Sequence, residues 1–236
     1  MQHAVGYTSG GGGQFYGAKA RLNVWPAQVA SPAEFSVSQI WLISGSFGNV
    51  DLNTIEAGWQ NDAYQETGCY NLHCSGFVQT NARIAIGAAI SPVSSVAGRQ
   101  FDITLLIWKD PKQGHWWLQL GSSGALLVGY WPSFLFSRLG ASADTAQFGG
   151  EVVNTRPSGS HTPTQMGSGR FPGEGYGRAA YFRNVQVVDW DNNLIPAAGL
   201  RLVADHPSCY DVAGGQGGDW GNYFYYGGPG RSARCP

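Results

Sequence analysis

Two glutamates carry the chemistry most readily read from this chain. Glu56 lies in Asn53-Thr54-Ile55-Glu56-Ala57-Gly58-Trp59-Gln60, and Glu151 lies in Gln147-Phe148-Gly149-Gly150-Glu151-Val152-Val153. The chain holds five glutamates, at positions 34, 56, 66, 151 and 174, and these two stand among glycine and apolar or aromatic residues. An apolar frame penalises the charged form of a carboxyl and raises its pKa. Two carboxyls brought together in such a frame form an acid/base pair that hydrolyses a bond with an activated water. The blander alternative is an exposed strand position or half of an ion pair, because perturbed carboxyls also occur in structural networks.

Other chemistries have weaker carriers. Ser122, Ser123 and Ser168 are available as nucleophiles, but Gly121-Ser122-Ser123-Gly124 is not the Gly-x-Ser-x-Gly elbow. No His-Glu-x-x-His segment supports a metallopeptidase, and no Gly-Lys-Ser/Thr follows the glycines at 10–13 to hold a phosphate. The four cysteines, at 69, 74, 209 and 235, allow three disulfide connectivities. Local pairing, Cys69 with Cys74 and Cys209 with Cys235, is the expectation. A zinc site on Cys69, His73 and Cys74 lacks the fourth ligand of a closed tetrahedral site. No metal or cofactor is called for, and by elimination the carboxylates remain.

Composition narrows the partners. The 236 residues suit one all-β domain spanning 1–236. Charged residues make up 12% of the chain, half the usual share of about 25%. With three lysines, eleven arginines and a net charge of -1, the chain has no broad basic face, which argues against nucleic acid as a partner. No apolar run reaches the length of a membrane span, and Met1-Gln2-His3-Ala4-Val5 lacks the regions of a signal peptide. Paired cysteines nevertheless point to secretion. No Asn-x-Ser/Thr sequon occurs to support it. The expected state is a monomer.

Short apolar runs must hold the glutamates in place. Strand-like segments are expected at Phe35 to Ile43, Arg83 to Ile90, Phe101 to Trp108, His115 to Leu120, Ala125 to Tyr130, Phe148 to Val153, Ala179 to Val188 and Gly199 to Val203. In the first of these Phe35, Val37 and Gln39 share one side, and the polar Gln39 interrupts an otherwise apolar face. Asp110-Pro111-Lys112-Gln113-Gly114 and Asp191-Asn192-Asn193 read as hairpin turns. The best helix candidate is Pro132 to Leu139. Residues 9–13 and 161–177 read as loops, and long loops over a rigid scaffold are where binding groups tend to lie. The pattern predicts an all-β, antiparallel two-sheet sandwich with at most one or two short helices.

Several blocks, in one order, carry a resemblance. They are Ile55-Glu56-Ala57-Gly58-Trp59, Thr67-Gly68-Cys69-Tyr70-Asn71-Leu72, Cys74-Ser75-Gly76-Phe77-Val78, Trp116-Trp117-Leu118, Val128-Gly129-Tyr130-Trp131-Pro132, Gly149-Gly150-Glu151-Val152, Thr164-Gln165-Met166-Gly167-Ser168-Gly169 and Tyr225-Tyr226-Gly227-Gly228-Pro229-Gly230. Together they closely resemble the neprosin family of glutamic peptidases, from about His3 to Pro236. The resemblance implies a secreted β-sandwich endopeptidase, active in acid and cleaving polypeptides after proline, with Glu56 and Glu151 as its catalytic pair. Trp59, Tyr130 and Trp131 are candidates for an apolar prolyl pocket, and His161 and Gln165 for holding the peptide backbone or the oxyanion.

Two departures from the family stand out. Plant members carry a longer stretch after the Glu-Ala-Gly-Trp block, whereas here only Gln60 to Ala63 precede Tyr64, which implies a more open cleft and altered subsites. The chain also starts without the inhibitory pro-segment, as expected of a trimmed or recombinant chain or of a microbial relative. Two other readings stay open on the residues alone. A sandwich with two glutamates and many tryptophans also fits a retaining glycoside hydrolase, and the aromatics alone fit a non-catalytic carbohydrate-binding module.

Overall fold

The computed structural model describes residues 1–9, 13–46, 48, 50–62, 70–122, 124–156 and 160–236. Its strands, numbered in chain order, form two antiparallel sheets packed face to face. The first contains β1 (Gln2–Ser9), β3 (Ser36–Ser44), β4 (Asn53–Asn61), β9 (Thr145–Val152) and β12 (Arg201–Ala204), in the spatial order β12-β1-β9-β3-β4. The second contains β2 (Gly17–Asn23), β5 (Val78–Gln79), β6 (Asp102–Lys109), β7 (Trp116–Leu120), β8 (Leu126–Trp131), β10 (Ala180–Val188), β11 (Leu194–Pro196), β13 (Asp211–Gln216) and β14 (Asn222–Gly227). Its order is β13-β14-β10-β2-β6-β7-β8-β5, with β11 beside β10.

Alternation along each strand decides what the sandwich encloses, because successive side chains point to opposite faces. From the first sheet Ala4, Ile40, Leu42, Ile55, Ala57, Phe148 and Val152 point inward, and they meet Leu22, Ile107, Phe182, Phe224 and Tyr226 from the second. Polar atoms carried into this core are paired. The Trp116 indole donates to the Leu139 carbonyl at 2.9 Å, and the Tyr226 hydroxyl donates to Ser38 Oγ at 2.7 Å. Among the described residues no helix is long and apolar enough to cross a membrane.

The all-β sandwich expected from the sequence is therefore the observed fold, with local corrections. Residues 83–90 do not form a strand. The Asn81 side chain accepts a hydrogen bond from the Arg83 amide at 3.0 Å, and Gly87 takes a positive φ of 85°, so turns replace extended backbone. The helix expected at Pro132 to Leu139 shrinks to a single 3-10 turn at Ser133–Leu135. Phe136, in extended conformation, ends the turn, and just beyond it the Asn53 side chain accepts from the amides of Arg138 and Leu139. Two further 3-10 turns lie at Pro172–Glu174 and Gly218–Trp220. Both hairpin turns occur as read, with Gly114 at φ 75° and Asn192 at φ 63°.

Cys209 and Cys235 form a disulfide across a sequence separation of 26, closing the C-terminal segment against the buried Tyr210. The pairing expected at Cys69 lies outside the described residues. On the chain-entropy relation a loop of this length contributes roughly 3.5 kcal/mol. A Cys209→Ser/Cys235→Ser double variant is accordingly expected to unfold at lower temperature without losing the sandwich. Thermal unfolding that matched the parent would show that the link adds nothing.

Candidate active site

Both glutamates sit on the outward face of the five-stranded sheet. Along β3, Val37, Gln39 and Trp41 share that face, while Ser38, Ile40 and Leu42 point to the core. Glu151 on β9 lies directly opposite Val37, and Glu56 on β4 lies directly opposite Trp41. The register extends across the sheet in three parallel rows. One row reads His3, Glu151, Val37, Gln60; the next reads Val5, Gly149, Gln39, Gly58; the third reads Tyr7, Gln147, Trp41, Glu56. The two acids thus stand on opposite sides of a middle row.

Two glycines define that middle row, and the backbone requires both. At Gly58 a Cβ would collide with the Ser38 carbonyl oxygen of the neighbouring strand. At Gly149 the backbone has φ 146°, and a Cβ would come within 2.5 Å of the Ala4 carbonyl oxygen and 2.8 Å of the Val5 Cα. Close approach of strands is a use that only glycine permits. Between the Glu151 and Glu56 rows the surface therefore has two positions without a side chain, a low floor at Gly149 and Gly58. Gln39 is the polar side chain on this floor.

The face is not an ordinary wet surface. Val5, Val37, Trp41 and Ile43 are buried although they point away from the core, and they form a second apolar cluster with Phe35 and Leu52 against it. Beside the Glu56 row, Tyr7, Ile43, Thr145 and Gln147 line an open depression.

The two acids have different surroundings. Glu56 is solvent-accessible as a residue, but the protein around its carboxyl desolvates it and pushes its pKa above the ordinary glutamate value. The Thr54 hydroxyl, which donates to its Oε1 at 3.0 Å, opposes the rise; the negative charge of Glu151 adds to it. Glu151 is 8% exposed, and its Oε1 finds no hydrogen-bond donor among the described residues. Its Oε2 lies 3.7 Å from His3 Nε2. A buried carboxylate oxygen without a donor is costly in a structural role, and it is what a group that binds water or substrate requires.

The other sequence candidates lie elsewhere. Trp59 points inward from β4, 6% exposed, with its indole donating to the Asn23 carbonyl at 3.0 Å. It lies three positions after Glu56, an odd step that puts the two on opposite faces of the strand. Tyr130 and Trp131 belong to β8 of the other sheet. Trp131 lies opposite the buried Trp116 and packs against the core, while Tyr130 stacks on His115 at 4.8 Å between ring centroids. The geometry therefore does not bring these three aromatics to the glutamates.

His161 is buried, bonded through Nε2 to Gln2 Oε1 at 2.6 Å. Gln2 and His3 point to opposite sides of β1, so His161 sits beneath the sheet that carries the acids. The sulfurs of Cys209 and Cys235 lie near its ring, but they are committed to the disulfide and offer no thiolate to a metal. Gln165 is tied to Gln28, accepting from its amide at 3.2 Å.

The residues that do share the face, and that the sequence reading did not select, are His3, Tyr7, Trp41, Gln147 and Gln39. Gln39 had a legible signal, as the polar member of an apolar face. The others gave none.

Comparison with known protein families is consistent with this geometry. The family model described as neprosin matches residues 32–229, a span that includes both glutamates and the glycine floor between them. A match over most of the chain identifies the family, and the chain belongs to the neprosin family.

Proposed function

We propose that this protein is a secreted glutamic endopeptidase, active in acid, that uses Glu151 and Glu56 on a polypeptide laid across the five-stranded sheet. Family membership supports a peptidase. The observation that carries the finer reading is the placement of two carboxyls on either side of a glycine-floored row on one face. Glu151, with its undonated oxygen, takes the proton of the attacking water. Glu56, whose desolvated carboxyl favours the neutral form, hydrogen-bonds the scissile carbonyl and then passes its one proton to the leaving amine as the C–N bond breaks; the proton held by Glu151 is released to solvent and Glu56 takes one up, which restores the pair. An extended chain over Gly149, Gln39 and Gly58 places its carbonyl between them. The cleavage rule follows the family resemblance, after proline, and the open depression lined by Tyr7 and Gln147 is a candidate seat for the proline ring.

A retaining glycosidase needs its two carboxyls about 5–5.5 Å apart. Here the acids stand two strands and four residues apart, on the order of 15 Å between Cα positions in a flat sheet. Each glutamate side chain spans several ångströms, so this backbone spacing does not by itself separate the two chemistries, and the two carboxyls are close enough to feel one another's charge. Digestion of casein beside a panel of β-glucans separates the two chemistries: peptide release without sugar release is expected, and the reverse would discard the peptidase reading.

The pH dependence follows from the sign of the Glu56 shift. Its raised pKa keeps it protonated beyond the ordinary glutamate value of about 4.3. Activity is therefore expected to be greatest in acid, with an alkaline limb lying above that value, and to vanish as Glu56 ionises. A pH–rate profile with its maximum near neutrality would contradict this assignment.

A further inference from the structure

The Glu151 row continues beyond the dyad. His3 lies opposite Glu151 across the β1–β9 pair, and on its other side is Asp205, just past β12. Asp205 Oδ2 accepts from both His3 Nδ1, at 2.9 Å, and the His3 backbone amide, at 2.8 Å. In return the Asp205 amide donates to the His3 carbonyl at 3.0 Å. The imidazole is thus clamped by its own backbone and by one ring nitrogen, which leaves Nε2 directed at Glu151 Oε2, 3.7 Å away. A protonated imidazole donates from both nitrogens, so a single cation bridges the two carboxylates.

We propose that His3, oriented by Asp205, is a positioning residue that holds the Glu151 carboxylate and supplies its counter-charge while the enzyme works in acid. This rests on the reading of Glu151 as the base of the dyad. A buried base acts only as the carboxylate, and an adjacent cation held in place by a third group favours that form.

The charged groups around His3 are Glu151 from β9, Asp205 after β12, and at longer range Glu56 from β4; His206 neighbours Asp205. Arg201 of β12 belongs to the Tyr7 row, on the same face. The Glu151 contact raises the His3 pKa above its ordinary value of 6.5, against the lowering effect of burial and with help from Asp205. Asp205 moves the opposite way: burial pushes it up, and the bonds from His3 outweigh that and hold it down. A raised imidazole pKa means that the cation is present throughout the acid range and is lost as pH rises through the raised value, while the pair itself is lost at the acid end when the carboxylates take up protons. The cation is present where the proposed chemistry needs it.

Three variants test the inference: His3→Gln, His3→Lys and Glu151→Gln. His3→Gln is expected to lower kcat/KM by about 10–100-fold and to move the acid limb of the pH–rate profile up by about one unit or more. His3→Lys, which restores a cation, is expected to return the limb towards the parent position. In parallel, the His3 ring titrated by NMR in the intact protein is expected to show a lower pKa in Glu151→Gln than in the parent, a change that a purely structural role would not produce. An inactive Glu151→Gln beside a His3→Gln with the parent pH profile would overturn this inference and leave the dyad standing. An active Glu151→Gln would overturn the dyad, and the positioning role with it. A His3 titration unmoved by Glu151→Gln would show that the two groups do not pair.

Discussion

Glu151→Gln is expected to lower kcat/KM by at least about 10³-fold, a barrier increase of about 4 kcal/mol, while leaving the sandwich folded. Glutamine keeps the size of the side chain and still places an oxygen over the floor, but it cannot remove a proton from water. Stability should change little, because relief of a buried carboxylate oxygen that has no donor is offset by loss of the ion pair with His3. Glu56→Gln is expected to lose a comparable factor for the complementary reason: its amide cannot deliver the proton that the leaving amine requires. The double variant should be scarcely worse than either single one, as holds for groups that act as a unit. Steady-state kinetics on one peptide substrate, with circular dichroism of each variant, provides the check. Either single variant within tenfold of the parent would remove that residue from the dyad.

The largest expected effect on stability belongs to a glutamate that takes no part in the chemistry. Glu34 is fully buried, and its carboxylate accepts from the Thr155 amide at 3.0 Å, the Thr155 hydroxyl at 2.9 Å and the Thr162 hydroxyl at 2.6 Å, with the Thr164 hydroxyl closer still. One side chain before β3 thereby holds the segment after β9 and the buried start of the 161–169 loop. Burial alone would raise the Glu34 pKa, but the hydroxyl and amide donors outweigh it and the net direction is down. Hydrogen bonds to a charged group contribute about 1.5–3 kcal/mol each, and they are not additive. Glu34→Ala is therefore expected to cost about 3 kcal/mol or more, on the order of 10 °C in Tm.

The sign of the pKa shift fixes the pH dependence of that loss. A carboxyl depressed in the folded state contributes stability that is fully present above its unfolded value, about 4.3, and that fades as pH falls through the lower folded value. The gap between parent and Glu34→Ala should thus be wide near neutrality and narrow in strong acid. Thermal unfolding of both proteins across pH measures it directly. A gap under 1 kcal/mol near neutrality would mean that the hydroxyl cage is not an anchor.

The fold was legible where strands carry long β-branched and aromatic side chains, as in β3, β6 and β10. It was least legible where small residues do the work. β2 reads Gly-Ala-Lys-Ala-Arg-Leu-Asn and β1 begins at the terminus, so neither shows an apolar run, yet both are central to their sheets. Arg83 to Ile90 shows the opposite failure: the right composition, turned aside by an Asn side chain and a positive-φ glycine.

For the site, two glutamates in glycine-rich frames were the informative feature, and the structure places both on one face. Trp59, an aromatic candidate for the prolyl pocket, lies on the other side of the sheet from Glu56, because an odd spacing on a strand puts two side chains on opposite faces. The Asp205–His3 clamp had no sequence signal, since its members are 202 residues apart and meet only through the register of β1 with β12.

The most direct test of the central claim is mass spectrometry of the peptides released from a denatured protein mixture in acid by the parent, Glu56→Gln and Glu151→Gln. The account predicts internal cleavage by the parent, enriched after proline, which disappears in both variants and persists in the presence of a chelator. Cleavage that survives in either glutamine variant, or that a chelator abolishes, would contradict it.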